Sequence, residues 1–401
     1  MVFEKHLKLL RKFCGNIMRP RFGWRKKITK FAKFFYLLIE WPFELVGDAL
    51  FFWKRMGKPG IKNPRRILIV KVDQFGDVLF STFLLPLIKK KYPDAEIDYL
   101  VNPKTAALLE KNPHIANIYF WEDIFLLALM GREKTRSGGR REIERKNKET
   151  LRVLRARHYD AVINTRAYPP SSNIPWRRIG GALIAFDISE QSFLADYWAS
   201  YDLNDEEWKN YLNLIAPLGI DIAAAECHEE FYNYGAANPM GEGAPGYVVI
   251  SPVSFDPERE WGNDKWKELV ARITSRGMRV ALTGMPSQED YLSSLARADG
   301  GKANVNVFTK MSLAEFGALM RDASFFVGID SFPAHLALAS GKESIVLVNP
   351  AAYYLKGYSP KKFSIDARNM LPLIKKISFF DITSASAVDV EDIAMRLVHE
   401  R

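Results

Sequence analysis

Four short segments carry the side chains whose types and spacing could do chemistry. The first is Lys71-Val-Asp73-Gln-Phe75-Gly76-Asp77-Val. An apolar run, Arg66–Lys71, leads into it; Gly76 allows a tight turn, and Asp77 opens the helix that follows. A carboxylate held there can take a proton from an incoming hydroxyl. It can equally be a helix cap. The loop is no dinucleotide fingerprint, because it lacks Gly-x-Gly-x-x-Gly. The second segment is Gly328-Ile-Asp330-Ser331-Phe332-Pro333-Ala-His335. Proline in a first turn marks a helix start, and the free N–H groups there favour phosphate. Ser331 adds a hydroxyl and His335 a cation; a capped helix with a structural histidine is the plain alternative. The third is Ser251-Pro-Val-Ser254-Phe-Asp-Pro-Glu-Arg259-Glu-Trp261. Arg259 can neutralise a diphosphate through forked hydrogen bonds, or be an ordinary solvated loop arginine. The fourth, Thr283-Gly284-Met285-Pro286, is a corner where a nucleobase could lie.

All four follow expected strands, and that shared placement is the stronger signal. Strands are expected at 66–71, 95–101, 115–120 and 158–164, with helices at 78–91, 105–111, 142–157 and 208–218. Residues 136–140 are expected to be a flexible loop. Tyr232–Gly246 holds four glycines and two prolines, a join between domains. Beyond it the rhythm repeats, with strands at 247–251, 279–283, 304–308, 325–328 and 344–348. Helices are expected at 264–276, 287–297, 312–321, 332–339 and 389–399. Alternation at this pitch means a parallel α/β sheet. The expectation is two Rossmann-like units facing a cleft, over 64–240 and 241–401, after an extension at 1–63 that ends in a Pro/Gly/Lys linker, Lys58–Pro64. Ligands of such sheets bind at the carboxyl ends of strands.

Composition excludes other classes. At 401 residues, 48% hydrophobic and 26% charged, the chain is neither disordered nor fibrous. Its two cysteines, Cys14 and Cys227, are too far apart in sequence to suggest a disulfide scaffold or zinc module. Residues 1–66 hold 17 Lys/Arg against 4 Asp/Glu, a net of +13, and the remainder nets −3. Such a tail seeks an anionic surface. Met1–Lys30 is too densely charged for a signal-peptide core. Within the apolar run 31–53, Lys33, Glu40, Glu44, Asp48 and then Arg55 fall on one helical stripe. A helix lying in a membrane interface is expected; packing on the protein's own body and a true span are the alternatives. A span would bury three carboxylates and Pro42. The tail's aromatics cluster with Leu and Ile, as for lipid, and no nucleic acid is expected. Residues 131–157, with 11 Lys/Arg against 4 Asp/Glu, are also basic.

The ordered set Ile67–Leu79, Tyr92–Tyr99, Ser251…Arg259-Glu-Trp261…Trp266, Thr283-Gly284…Pro286, Met311-Ser-Leu313 and Gly328–Ala337 resembles glycosyltransferase family 9, the ADP-heptose:lipopolysaccharide heptosyltransferases and their relatives. The resemblance runs from about residue 66 to 350. It implies a GT-B fold and an inverting, metal-independent transfer, most simply of heptose from ADP-heptose to a lipopolysaccharide-core or related lipid-linked acceptor. It implies no cofactor beyond that donor, and a peripheral place on the cytoplasmic face of the inner membrane. The acceptor would bind the first domain and the nucleotide sugar the second. The family's catalytic aspartate falls on Asp77. Its diphosphate- and nucleotide-binding positions fall on Ser254, Arg259, Gly284, Gln288, Asp330, Ser331 and His335. This sequence departs from the pattern at Phe75, where a small residue is usual, at Phe332, where glycine is usual, and at Gln288, where an acid is expected. Another nucleotide sugar, or a catalytically silent membrane-associated relative, are the alternatives.

Overall fold

The computed structural model describes residues 46–47, 49–50, 58–123, 137–167, 172–189, 191–202, 205–222, 229–241, 246–254, 259–297, 304–349, 377–381 and 386–392. Two six-stranded parallel sheets account for it. The first comprises β1 (Arg66–Lys71), β2 (Glu96–Val101), β3 (Asn117–Phe120), β4 (Ala161–Asn164), β5 (Ala182–Phe186) and β6 (Tyr197–Ala199), in the order β3-β2-β1-β4-β5-β6. The second comprises β7 (Tyr247–Ser251), β8 (Arg279–Thr283), β9 (Val305–Phe308), β10 (Phe325–Ile329), β11 (Ser344–Val348) and β12 (Ile377–Asp381), in the order β12-β11-β10-β7-β8-β9. Both follow one doubly wound plan. The strand order reverses between β1 and β4 in one sheet, and between β7 and β10 in the other. Those two switch points are where such sheets open a crevice for ligands.

The strands are runs such as Ile67-Leu-Ile-Val and Val248-Val-Ile, buried on both faces as a covered parallel sheet requires. The helices are α1 (Phe75–Ser81), α2 (Leu84–Lys91), α3 (Ser137–Ala156), α4 (Ile174–Arg177), α5 (Glu207–Ile215), α6 (Asn263–Ser275), α7 (Glu289–Ala296), α8 (Leu313–Asp322) and α9 (Phe332–Ala339). The helix expected at 78–91 is two. Pro86 lacks an N–H and its ring crowds the carbonyl four residues back, so the chain breaks at Thr82–Phe83. Of the flexible loop expected at 136–140, the described residues 137–140 are instead the first turn of α3. That helix buries Ile143, Asn147 and Leu154 on one stripe, and it pairs Arg140 with Glu144 and Arg145 with Glu142 on its outer face. The helix expected at 105–111 shrinks to a single 3₁₀ turn, Ala106–Leu108. Strands β5, β6 and β12 had no counterpart in the sequence reading. Of the helix expected at 389–399, the described part is helical from 387 to 392.

One apolar core runs through both units, from Ile67, Val101 and Leu212 to Tyr247, Met320 and Leu336. Separate clusters fill the far face of each sheet. Most of the apolar tail segment 31–53 lies outside the described residues. Its residues 46, 47, 49 and 50 are helical; Gly47 is buried against the Phe193 ring, whereas Val46 and Leu50 are exposed. Among the described residues no helix is long and apolar enough to cross a membrane.

Candidate active site

The first switch point carries a buried charge lattice. Lys71 ends β1; its Nζ lies 2.9 Å from Asp73 Oδ2 and donates to the Tyr211 hydroxyl at 2.5 Å. Arg166, just beyond β4, places Nε 2.8 Å from Asp73 Oδ1 and Nη1 2.9 Å from Asp123 Oδ2. Burial opposes charge on Asp73, but Arg166 and Lys71 outweigh it and hold its carboxyl below the usual range. Burial likewise opposes the Lys71 ammonium, yet Asp73, Tyr211 and Asp77 together raise its pKa.

Asp77 lies in the first turn of α1, whose N-cap is Gln74. It therefore does not cap the helix, and Gly76 lies inside α1, where a tight turn was expected. Glycine serves there for close approach: a Cβ would lie 3.1 Å from His335 Cδ2 and 3.6 Å from the Phe332 Cα. Asp77 is exposed to solvent, with Lys71, Asp73, His335 and Glu207 in electrostatic reach. Partial desolvation raises its pKa; Lys71 pulls it down, Asp73 pushes it up, and His335 pulls it down. An accessible carboxylate with a raised pKa is a better proton acceptor than an ordinary surface aspartate.

The second switch point faces it. Arg259 Nη1 donates to the Asp330 carbonyl at 2.7 Å and lies 3.5 Å from Asp330 Oδ2, so the arginine ties the loop after β10 to the segment after β7. Ser331 is the N-cap of α9, but its hydroxyl donates back to the Ile329 carbonyl at 3.2 Å and forms no side-chain cap bond. His335, in the first turns of α9, has Nδ1 2.8 Å from Glu229 Oε1. Burial alone would lower its pKa; Glu229, Asp330 and Asp77 reverse this and push it up to about 9. Phe75 and Phe332 meet across the junction with ring centroids 5.3 Å apart, and Phe316 packs on Phe332 at 6.1 Å. Among the described residues no cluster of three or more His, Cys, Asp or Glu could hold a metal ion.

The model of glycosyltransferase family 9 (heptosyltransferase) matches residues 149–362, more than half of the sequence. The chain belongs to glycosyltransferase family 9. It is accordingly a glycosyltransferase, and its two parallel-sheet domains form the GT-B architecture. It is 27% identical over 289 residues to lipopolysaccharide heptosyltransferase 3 of Escherichia coli K12, covering 66% of this chain and 76% of that one. It is 23% identical over 304 residues to lipopolysaccharide heptosyltransferase 1 of the same strain, covering 71% and 88%. In fold it resembles the E. coli heptosyltransferase WaaC solved with ADP-2-deoxy-2-fluoro heptose, with TM-score 0.63, 20% identity and coverage of 82% and 99%. It also resembles E. coli ADP-heptose lps heptosyltransferase II, with TM-score 0.63, 16% identity and coverage of 84% and 99%.

Within the family 9 match lie Ser254, Arg259, Gly284, Gln288, Asp330, Ser331 and His335; Asp77 precedes it. The fold brings Asp77, Arg259, Asp330, Ser331 and His335 to the two facing switch points. Gly284 and Gln288 make a corner of their own after β8. A Cβ at Gly284 would meet Leu292 at 2.8 Å and Gln288 Oε1 at 2.9 Å, and Gln288 Oε1 accepts from the Met285 N–H at 2.9 Å. Gln288 thus holds the turn that the sequence reading assigned to nucleotide contact. Ser254 is half-buried in the segment after β7. Sequence reasoning missed Lys71, Asp73, Arg166, Tyr211 and Glu229. A lysine ending a fully apolar strand was the available signal for Lys71; Arg166, Tyr211 and Glu229 carried none, because their partners are distant in sequence.

Proposed function

We propose that this enzyme transfers heptose from ADP-heptose to a lipopolysaccharide-core or related lipid-linked acceptor, with inversion and without a metal. The observation that carries the reading is the meeting of α1 and α9. An accessible carboxylate, Asp77, lies on one side of the junction, and Arg259 with the N-terminal end of α9 lies on the other. The relatives named as lipopolysaccharide heptosyltransferases supply the sugar and the acceptor class.

The proposed step is a single displacement. The acceptor hydroxyl oxygen forms a bond to the anomeric carbon as the bond from that carbon to the diphosphate oxygen breaks on the opposite face. The hydroxyl proton goes to Asp77, and the charge left on ADP is met by Arg259, the positive end of the α9 dipole and His335. Lys71 and Arg166 fix Asp73, and with it the turn that leads into α1 and Asp77. The basic face of α3 and residues 1–60 would serve a phosphorylated, membrane-held acceptor. Because Phe332 stands at the first position of α9 and packs on Phe75, a different nucleotide sugar is the second reading.

The test is a donor panel. ADP-heptose and other nucleotide sugars are offered with lipopolysaccharide-core acceptors, and product configuration is read by NMR with and without chelator. Turnover of ADP-heptose to an inverted product, unchanged by chelator, is expected. Turnover of another nucleotide sugar alone would replace the donor assignment, and loss with chelator would end the metal-free account.

A further inference from the structure

We propose that Glu229 is a positioning residue, holding His335 as a cation turned toward the Gly76–Asp77 peptide of α1, where one charge serves both the base and the leaving diphosphate. Glu229 belongs to the segment that joins the two sheets, and its side chain is 1% exposed. Its Oε1 lies 2.8 Å from His335 Nδ1, and its Oε2 has no hydrogen-bond partner among the described residues. A buried carboxylate so sparsely bonded needs a cation beside it. The imidazole is the group in hydrogen-bond reach, so Nδ1 carries a proton and donates. The other ring nitrogen faces α1, since a Cβ at Gly76 would lie 3.5 Å from Nε2. The Phe80 ring, edge-to-face at 6.0 Å, fixes the imidazole plane.

The neighbouring acid does a different job. The Glu230 N–H donates to Thr82 Oγ1 at 2.7 Å, and its carboxylate takes Asn112 Nδ2 at 3.2 Å and His114 Nε2 at 3.3 Å. Glu230 therefore anchors the segment to the first domain, while Glu229 reaches α9 of the second. The groups that raise the His335 pKa are carboxylates: Glu229 from the joining segment, Asp330 from the end of β10, and Asp77 from α1. Around Asp77 stand Lys71, Asp73 and Glu207 as well. That surrounding agrees with a histidine still charged up to about pH 9.

The use of this charge rests on the function proposed above; the contact itself does not, and the experiment separates them. The imidazole signals of the six histidines of the full chain are titrated by NMR without ligand, with His335→Gln giving the assignment. His335 is expected to titrate near 9 in the wild type and about two units lower in Glu229→Gln, close to the ordinary value of about 6.5. ADP affinity should hold to pH 8.5 in the wild type. In Glu229→Gln it should fall roughly tenfold between pH 6 and 8.5, as a charge-assisted hydrogen bond is lost. Adenosine binding should stay level, and Glu230→Gln should leave the His335 titration in place. A wild-type His335 that titrates near 6.5 overturns the proposal, even if the variant fails to fold. So does a Glu229→Gln protein whose ADP affinity drops equally at both pH values, the mark of a structural role. The expected titration in a protein that transfers no heptose would count against the function and leave the contact standing.

Discussion

Asp77 and His335 are the two residues whose ionisation the site depends on. Asp77→Asn should keep the fold and ADP affinity and lower turnover by roughly 10²–10⁴-fold, the usual worth of a general base. Turnover near wild type would leave Asp77 as a first-turn helix charge and no more. The same groups shape stability. His335 has a folded value of about 9 against 6.5 in the unfolded chain. Its contribution is complete below 6.5 and lost as pH rises through 9. Burial pushes the Glu229 carboxyl up from 4.5, a loss of the same sign that begins at lower pH. Asp73 runs the other way: held below 3.8, it contributes above that value, and the contribution is lost on acidification. Urea unfolding should therefore show stability declining from pH 6.5 to 9 by an amount of order 1–3 kcal/mol, with a separate loss in strong acid. A flat profile between 6.5 and 9 would contradict the His335–Glu229 contact. Lys71→Met leaves Asp73 with Arg166 alone and should cost about 3 kcal/mol by the same assay, the penalty for breaking a buried pair.

At the level of elements, the site is the meeting of α1 and α9. Gly76 lets the two helices touch, and Phe75 and Phe332 close the contact at 5.3 Å, one ring from each domain. The two aromatic departures from the family 9 pattern are thus partners. A ring at either position alone would face a smaller side chain and expose apolar area. A double-mutant cycle of Phe75→Ala and Phe332→Ala, followed by chemical denaturation, should give a coupling of about 0.5–1.5 kcal/mol, typical of a tilted aromatic pair. Strict additivity would mean that each ring packs only within its own domain. Both helices follow switch-point strands, which explains why chemistry gathers on them: the loops after β1 and β10 open into the crevice that the strand order creates.

At the scale of the whole molecule, the question is where the body begins. Sequence patterning put the linker at 58–64 and the edge of the extension at residue 63. The fold ties part of that linker down: Lys58 pairs with Asp196 at 2.9 Å, the Pro59 carbonyl accepts from the Tyr197 hydroxyl, and the Ile61 N–H donates to the Pro217 carbonyl. A chain starting at Lys58 should fold, bind ADP and lose affinity for anionic liposomes. One starting at Lys62 gives up these ties and should be less stable by about 1–3 kcal/mol. The full chain should bind anionic liposomes in a salt-sensitive way, since each Lys or Arg near the surface contributes about 1 kcal/mol and the apolar part is unscreened. Equal liposome binding by the chain from Lys58, or a full chain that only detergent releases, would sink the interfacial account of the tail.

The strand-to-helix alternation, the two doubly wound units and the rim position of Asp77, Arg259, Asp330 and His335 were legible in the sequence. Each depends on local pattern: an apolar run such as Ile67–Val70, then a polar turn, then helix-period burial. β6 was not, because a strand of three residues carries too little periodicity to stand out from a loop; the apolar run of β5, Ala182–Phe186, was as readable as that of β7 and had no place in the expected strands. The break at Thr82–Phe83 was readable from Pro86 and was passed over. What only the tertiary structure decided is which distant groups share a site. Lys71 meets Tyr211 across 140 residues and His335 meets Glu229 across 106. No local pattern encodes those pairs; they follow from strand order and from the packing of α1 on α9. Gly76 has the same lesson in one residue, a glycine whose reason is an imidazole ring that the chain supplies more than two hundred residues later.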